Sequence, residues 1–207
     1  MNINDRRKQP LDIGIMPIDP FLQFNLWYDD VRSADIPNSN AMVIATADGD
    51  GRPSARMVLL KEFDRRGFVF YTNYESRKAA ELEVNPHGSI LFLWNALERQ
   101  VRIEGRVQKT SREESRQYFA KRPRESQIGA WISRQSSILP DGCSLEASAA
   151  ALEKKFSGRE IQCPDFWGGY RLVPESFEFW QERPYRLHDR VKYKKNGETW
   201  IIHRLFP

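Results

Sequence analysis

AMVIATADGDGRPSARMVLLKEFDRRGFVFYT (residues 41–72) decides the fold. Three runs rich in apolar and β-branched residues, Ala41–Ala47, Arg56–Lys61 and Gly67–Thr72, are separated by Asp48-Gly-Asp-Gly51 and Asp64-Arg-Arg-Gly67. Such Asp- and Gly-rich links reverse a chain within a few positions, so the short strands they join pair antiparallel. Two further runs, Ser89–Trp94 and Gln100–Gln108, continue the pattern. After a helical interval the chain returns to strands at Tyr170–Val173, Ser176–Gln181, Arg186–Tyr193 and Thr199–Leu205, the last two joined by the hairpin turn Asn196-Gly197. The expected architecture is mainly β with flanking helices (α+β), an antiparallel barrel or sandwich.

The helices have legible starts. Asp19-Pro20 opens one that runs through Phe21, Phe24, Trp27 and Tyr28; Ser76 opens another that reaches Val84 and stops before Pro86. Ser111-Arg-Glu-Glu114 is a capping box whose helix ends near Pro123, and a short helix is expected to start at Ser126. A last one runs from Ser144 to Phe156 and stops at Gly158. Residues 1–18 carry Pro10 and Pro17 without a clear period, and are expected to be an arm that is either mobile or closes over something; residues 19–207 form a single domain.

The 207 residues are 40% hydrophobic and 29% charged, a balance that folds and excludes a disordered chain. A net charge of +4 with basic residues spread along the chain suits phosphorylated small molecules or nucleic acid equally. Cys143 and Cys163 have neither zinc-site nor disulfide-framework spacing, which points to a reducing cytoplasm. No apolar run has signal-peptide or membrane-span length, so a cytoplasmic protein without membrane contact is expected. Gly49-Asp-Gly51 leads into Pro53 and a strand, so it is a turn and not a dinucleotide fingerprint. No metal is expected from His87, His188 and His203, and no nucleic acid from the aromatic strands, which lack an RNP-like signature.

Three sets of side chains could carry chemistry. Ser115, Tyr118 and Arg122 share a helix face, with Ser126 just beyond Pro123; hydroxyls, a guanidinium and a helix N-terminus are the parts of a phosphate site. Arg56, Lys61, Tyr71, Thr72, Ser76, Arg77 and Lys78 form a second set, in which cations in a helix's first turn oppose the helix dipole unless an anion bridges them. Arg186, His188 and Arg190 would line one face of a strand. Spacing alone fits solvated faces and a core tyrosine better than a ligand site in the first and third sets, and surface decoration remains open in the second.

Ten segments taken in order give these sets a context: Arg56-Met-Val-Leu-Leu-Lys61, Phe70-Tyr-Thr-Asn73, Ser76-Arg-Lys78, Glu98-Arg-Gln-Val101, Tyr118-Phe-Ala-Lys-Arg-Pro-Arg124, Ser126-Gln-Ile-Gly-Ala-Trp131, Gln135-Ser-Ser137, Phe166-Trp-Gly-Gly169, Phe177-Glu-Phe-Trp-Gln181 and Arg186-Leu-His-Asp-Arg190. With them the chain, from about Asp19 to Pro207, resembles the pyridoxamine (pyridoxine) 5'-phosphate oxidases. The resemblance implies an FMN-binding split β-barrel working as a homodimer, with flavin at the subunit interface. It implies an oxidoreductase of vitamin B6 metabolism that converts pyridoxamine 5'-phosphate and pyridoxine 5'-phosphate to pyridoxal 5'-phosphate, with hydride transfer from C4' to flavin N5 and reoxidation by O2 to H2O2.

By the same resemblance FMN would be held by Arg56, Met57, Val58, Leu59, Leu60, Lys61, Tyr71, Thr72, Ser76, Arg77 and Lys78, together with Gln100, Gln135, Ser136, Trp180 and Arg190, some reaching across the dimer. Lys61, Tyr118, Arg122 and Ser126 would hold the substrate phosphate, and Arg186 and His188 the pyridine ring as catalytic residues. Members of the family often carry Arg-x-x-Tyr in the N-terminal arm; Arg6-Arg7-Lys8-Gln9-Pro10 lacks the tyrosine, which leaves lid closure by this arm without its usual aromatic group. Two other readings remain: a relative on the same barrel acting on another compound, such as a phenazine precursor, and a non-catalytic carrier of pyridoxal 5'-phosphate.

Overall fold

The computed structural model describes residues 9–207, so Arg6, Arg7 and Lys8 of the arm lie outside it. Nine strands form one sheet: β1 (Ala41–Ala47), β2 (Pro53–Leu59), β3 (Glu62–Asp64), β4 (Gly67–Asn73), β5 (His87–Trp94), β6 (Arg99–Lys109), β7 (Trp167–Gln181), β8 (Asp189–Asn196) and β9 (Thr199–Arg204). Among the described residues five helices flank it: α1 (Pro20–Ser33), α2 (Arg77–Val84), α3 (Arg112–Ala120), α4 (Arg124–Ile132) and α5 (Leu145–Lys155). The order is β2-β1-β5-β6-β7-β4-β3, every pair is antiparallel, and β8 and β9 branch from β7. The result is an antiparallel half-barrel.

The fifteen-residue β7 organises the rest. It pairs with β6 along most of its length, with β4 through Trp167–Leu172 and with β8 through Ser176–Gln181. Sequence reading divides β7 at Pro174, whereas the strand runs through it. Pro174 lies in the gap between the β4 and β8 ladders and opposite the bulge at Glu104/Gly105, where a missing N–H costs no regular pairing. Gly105 fits this bulge because a Cβ there would lie 2.0 Å from the Val173 carbonyl oxygen.

α1 closes the open face of the half-barrel. Asp19 caps it by accepting from the Phe21 N–H at 2.9 Å, and Pro20 at its first position has no N–H to leave unpaired. Its fully buried Phe24 meets Phe63 and Phe68 edge-on, each at 4.9 Å, and Trp27 meets Phe179 at 5.2 Å. The buried Arg99 of β6 binds Asp30 at 2.8 Å and lies 4.5 Å over the Trp27 ring, tying the helix to the sheet.

A second apolar cluster, Phe119, Ile128, Ala130, Ile161 and Trp167, joins α3 and α4 to the start of β7. The capping box at the head of α3 is closed in both directions: the Ser111 hydroxyl accepts from the Glu114 N–H at 3.1 Å, and the Glu114 carboxylate accepts from the Ser111 N–H at 3.0 Å. Ser111→Ala is expected to cost about 1 kcal/mol and lower Tm by about 2–4 °C in a thermal melt.

Three expectations are corrected. Arg56–Lys61 is not the second strand; β2 spans Pro53–Leu59, because an edge strand accepts a proline at its first residue. Ser126 does not start a helix: α4 begins at Arg124 behind Pro123, and Ser126 is its third residue. Arg186–Tyr193 is not a continuous strand. Pro184 opens a single 3-10 turn, Tyr185 and Arg186 take the left-handed values φ 58° and 61°, and β8 starts only at Asp189. Arg186, His188 and Arg190 therefore do not share a strand face.

Candidate active site

Both basic sets open into one cleft of about 990 Å3 between β2, β4 and the helices α2, α3 and α4. Arg56, Met57, Val58, Leu59, Lys61, Tyr71, Thr72, Arg77, Lys78, Tyr118, Arg122, Ser126, Gln135 and Ser136 all line it. Leu60, Ser76 and Ser115 do not; all three are buried behind the wall, Ser76 donating from its hydroxyl to the Asn73 carbonyl at 2.7 Å and Ser115 to the Ser111 carbonyl at 3.1 Å.

At one end the cations are held by a single carboxylate. Glu81, on α2 one turn after Arg77, takes the Arg77 Nε at 2.8 Å and the Arg56 Nη2 at 3.3 Å, and accepts from the hydroxyls of Ser54 at 2.6 Å and Thr46. Burial pushes its pKa up, yet the hydroxyls and Arg77, with the charge of Arg56, outweigh this and bring it down to about 2. Arg56 also donates from Nη1 to the Thr46 hydroxyl at 2.6 Å.

Lys78 has a different environment. Its Nζ donates to Thr72 Oγ1 at 3.0 Å, Gln135 Oε1 at 2.9 Å and Ser76 Oγ at 3.3 Å, all neutral acceptors. Burial, helped by the neighbouring Arg56 and opposed by Glu81, lowers its pKa to about 8. The Thr72 hydroxyl donates to Gln135 Oε1 at 2.8 Å, which fixes the amide so that its oxygen faces the ammonium.

The other end is aromatic and cationic. Tyr71 stacks on Tyr118 at 3.9 Å and on Trp167 at 5.4 Å, and burial raises the Tyr71 hydroxyl pKa well above its ordinary value. Gly169 allows this packing, since a Cβ there would lie 2.9 Å from Tyr71 Cε1 and 2.5 Å from Thr110 Oγ1. Lys61 Nζ lies 5.9 Å from the Tyr118 ring centre. Arg122 lies 4.7 Å over Trp167 and 5.6 Å from Phe119, and its Nη1 is buried with no hydrogen-bond partner among the described residues. Burial lowers its pKa from the ordinary arginine value. Arg122 itself lines the cleft and is only half-buried, so its guanidinium can meet an anion there.

Gln100, Trp180, Arg186, His188 and Arg190 are absent from this cleft. They form a second group: Gln100 faces Trp180 across β6 and β7, Trp180 faces Arg190 across β7 and β8, and the His188 ring is 4.7 Å from the Trp180 ring. Arg190 is tied to Glu178 through Nε at 2.8 Å. Arg186 and Tyr185 are exposed on the turn before β8. Sequence reading missed Glu81, Asn73 and Trp167. Glu81 was legible as the i+4 partner of Arg77, and Trp167 as the residue before the glycine pair; Asn73, which holds the Ser133 carbonyl at 2.9 Å, has no local signal.

Among the described residues no helix is long and apolar enough to cross a membrane. The family profile of pyridoxamine 5'-phosphate oxidase matches residues 29–156, and that of the pyridoxine 5'-phosphate oxidase C-terminal dimerisation region matches residues 167–207. A pyridoxine/pyridoxamine 5'-phosphate oxidase of Rubrobacter xylanophilus is 56% identical over 91% of this chain and 87% of its own length. That of Gloeothece citriformis is 54% identical over 91% of this chain and 88% of its own. Among solved structures, PhzG from Burkholderia lata 383, in complex with tetrahydrophenazine-1-carboxylic acid, superposes with a TM-score of 0.89 at 31% identity, covering 94% of this chain and 95% of its own. A pyridoxamine 5'-phosphate oxidase-related, FMN binding protein from Nostoc punctiforme gives 0.73 at 15% identity over 93% and 100%, a likeness of fold alone. The half-barrel is the split barrel of these proteins, the fold expected from the sequence.

Proposed function

Because the chain belongs to the pyridoxamine 5'-phosphate oxidase family, we propose that it oxidises pyridoxamine 5'-phosphate and pyridoxine 5'-phosphate to pyridoxal 5'-phosphate as an FMN-dependent homodimer. Arg122 carries this reading: a half-buried guanidinium that lines the cleft, lies over Trp167 and has no carboxylate partner among the described residues suits an anionic group on the substrate. A substrate without an anionic group would leave that charge unpaired.

The cleft fits a flavin mononucleotide. Arg56, Arg77 and Lys78 supply cations for its phosphate, while Met57–Leu59, Tyr71, Thr72, Gln135 and Ser136 offer an edge of apolar surface and neutral hydrogen-bonding groups for its ring. Flavin, when bound, supplies the hydride acceptor that no protein side chain offers. The chain's own share is binding and alignment. Lys61, Tyr118, Arg122 and Ser126 anchor the substrate phosphate, and that remote binding energy holds the C4' carbon in register, an effect worth up to about 7 kcal/mol. Trp167 holds Arg122 at the wall of the cleft. Arg186 and His188 belong to a surface outside the cleft, and in the homodimer they reach the substrate ring in the partner's cleft, His188 bonding the ring 3-oxygen; Gln100, Trp180 and Arg190 complete the flavin site from the same surface.

Comparing pyridoxine 5'-phosphate with unphosphorylated pyridoxine in steady-state turnover tests the reading. A kcat/KM preference of about a thousandfold or more for the phosphate ester is expected from charge-assisted pairing with Lys61 and Arg122; equal values would refute it.

Lys78 sets a pH dependence. Its folded-state pKa, about 8, is below the ordinary lysine value, so its neutral form is favoured on folding and flavin phosphate favours its charged form. FMN affinity is therefore expected to fall as pH rises above about 8, by up to about tenfold per unit, and Lys78→Met to flatten the profile. For the flavin-free chain the sign reverses: the penalty of burying the charged amine is full below about 8 and is relieved between there and the unfolded lysine pKa, so this group makes stability rise with pH in that window. Fluorescence titrations and melts at several pH values check both.

A further inference from the structure

Arg56 and Arg77 reach the cleft from different elements, an edge strand and a helix's first turn, and neither backbone alone fixes where a guanidinium points. Glu81 does. Its side chain is only 5% exposed; Oε1 takes the Arg77 Nε, which leaves both terminal Arg77 nitrogens free of that contact, and Oε2 gathers Arg56 Nη2 with the Thr46 and Ser54 hydroxyls. The same carboxylate thus spans β1, β2 and α2 at the cation-rich end of the cleft. We infer that Glu81 is a positioning residue for the flavin phosphate: an internal carboxylate that aims Arg56 and Arg77 at the dianion. The inference rests on the cofactor reading above.

Two effects of the carboxylate have opposite signs. By charge alone, an anion beside a phosphate site weakens phosphate binding, and its removal would tighten FMN. By positioning, its removal frees Arg77 and leaves Arg56 to Thr46, Ser54 and the Ile44 carbonyl alone, so more ordering entropy must be met at binding, and FMN loosens. With Glu81 gripping two guanidiniums and two hydroxyls, positioning dominates. Riboflavin, which lacks the phosphate, is indifferent to either.

The full-length chain, stripped of flavin, is titrated with FMN and with riboflavin by flavin fluorescence, for the wild type, Glu81→Gln and Glu81→Asp, each checked by thermal melt. Glu81→Gln is expected to raise the FMN Kd about tenfold or more with the riboflavin Kd within about twofold of wild type, and Glu81→Asp, which keeps the charge, to fall between. Unchanged or tighter FMN binding overturns the inference, as does a parallel loss of riboflavin. If Glu81→Gln does not fold, Glu81→Asp carries the same test. If neither folds, Glu81 belongs to the scaffold and the inference fails. A wild-type chain that takes up no FMN overturns the cofactor reading and this inference together, whereas normal wild-type uptake with an indifferent variant overturns the inference alone.

Discussion

Arg122→Leu is expected to lower kcat/KM for pyridoxine 5'-phosphate by about a hundred- to a thousandfold, equivalent to about 3–4 kcal/mol, and to leave the feeble turnover of unphosphorylated pyridoxine nearly unchanged. The size follows from desolvation. Arg122 lies half-buried over the faces of Trp167 and Phe119, which partly shield it from water and offer no acceptor, so a phosphate meets a cation without a carboxylate partner among the described residues. Leucine keeps much of the volume against Trp167. Stability should not suffer, because the substitution removes a buried charge lacking a carboxylate partner. Steady-state kinetics on both substrates with a melt of each protein checks this; an equal loss on both substrates would place Arg122 in the scaffold instead.

Arg186→Leu is expected to reduce turnover by about ten- to a hundredfold while flavin content stays at the wild-type level. Arg186 lies on an exposed left-handed turn outside the cleft that holds Arg122, so one copy of the chain does not bring the two together. A composite site has a distinctive signature. Chains carrying only Arg122→Leu, refolded or co-expressed with chains carrying only Arg186→Leu, form mixed dimers in which one cleft has both defects and the other has neither. Random pairing then returns about a quarter of wild-type sites from two nearly inactive parents. No recovery in verified mixed dimers would contradict an Arg186 contribution from the partner subunit.

Much of the fold was legible because it is written in local patterns. Apolar and β-branched runs between turn signals marked β1, β4, β5 and β6, and the capping residues Asp19, Ser111 and Ser144 marked three helix starts within a residue. The strand misplacements fall where local rules yield to the sheet. Pro53 and Pro174 read as breaks but occupy an edge and a gap between ladders, and Pro184 imposed a turn where charge alternation had suggested a strand. The site was legible in its cations and not in what governs them. Lys78 depends on Gln135, 57 positions away, and Arg56 on Glu81, 25 away. Spacing could propose the two basic sets but not bring them into one cleft, and family resemblance, not periodicity, named their ligands.

Anaerobic mixing of the FMN-loaded chain with pyridoxine 5'-phosphate tests the central claim most directly. The yellow flavin absorbance is expected to bleach on mixing, and admitting air to restore it with release of peroxide and pyridoxal 5'-phosphate. A flavin that stays oxidised in the presence of saturating substrate would contradict the assignment.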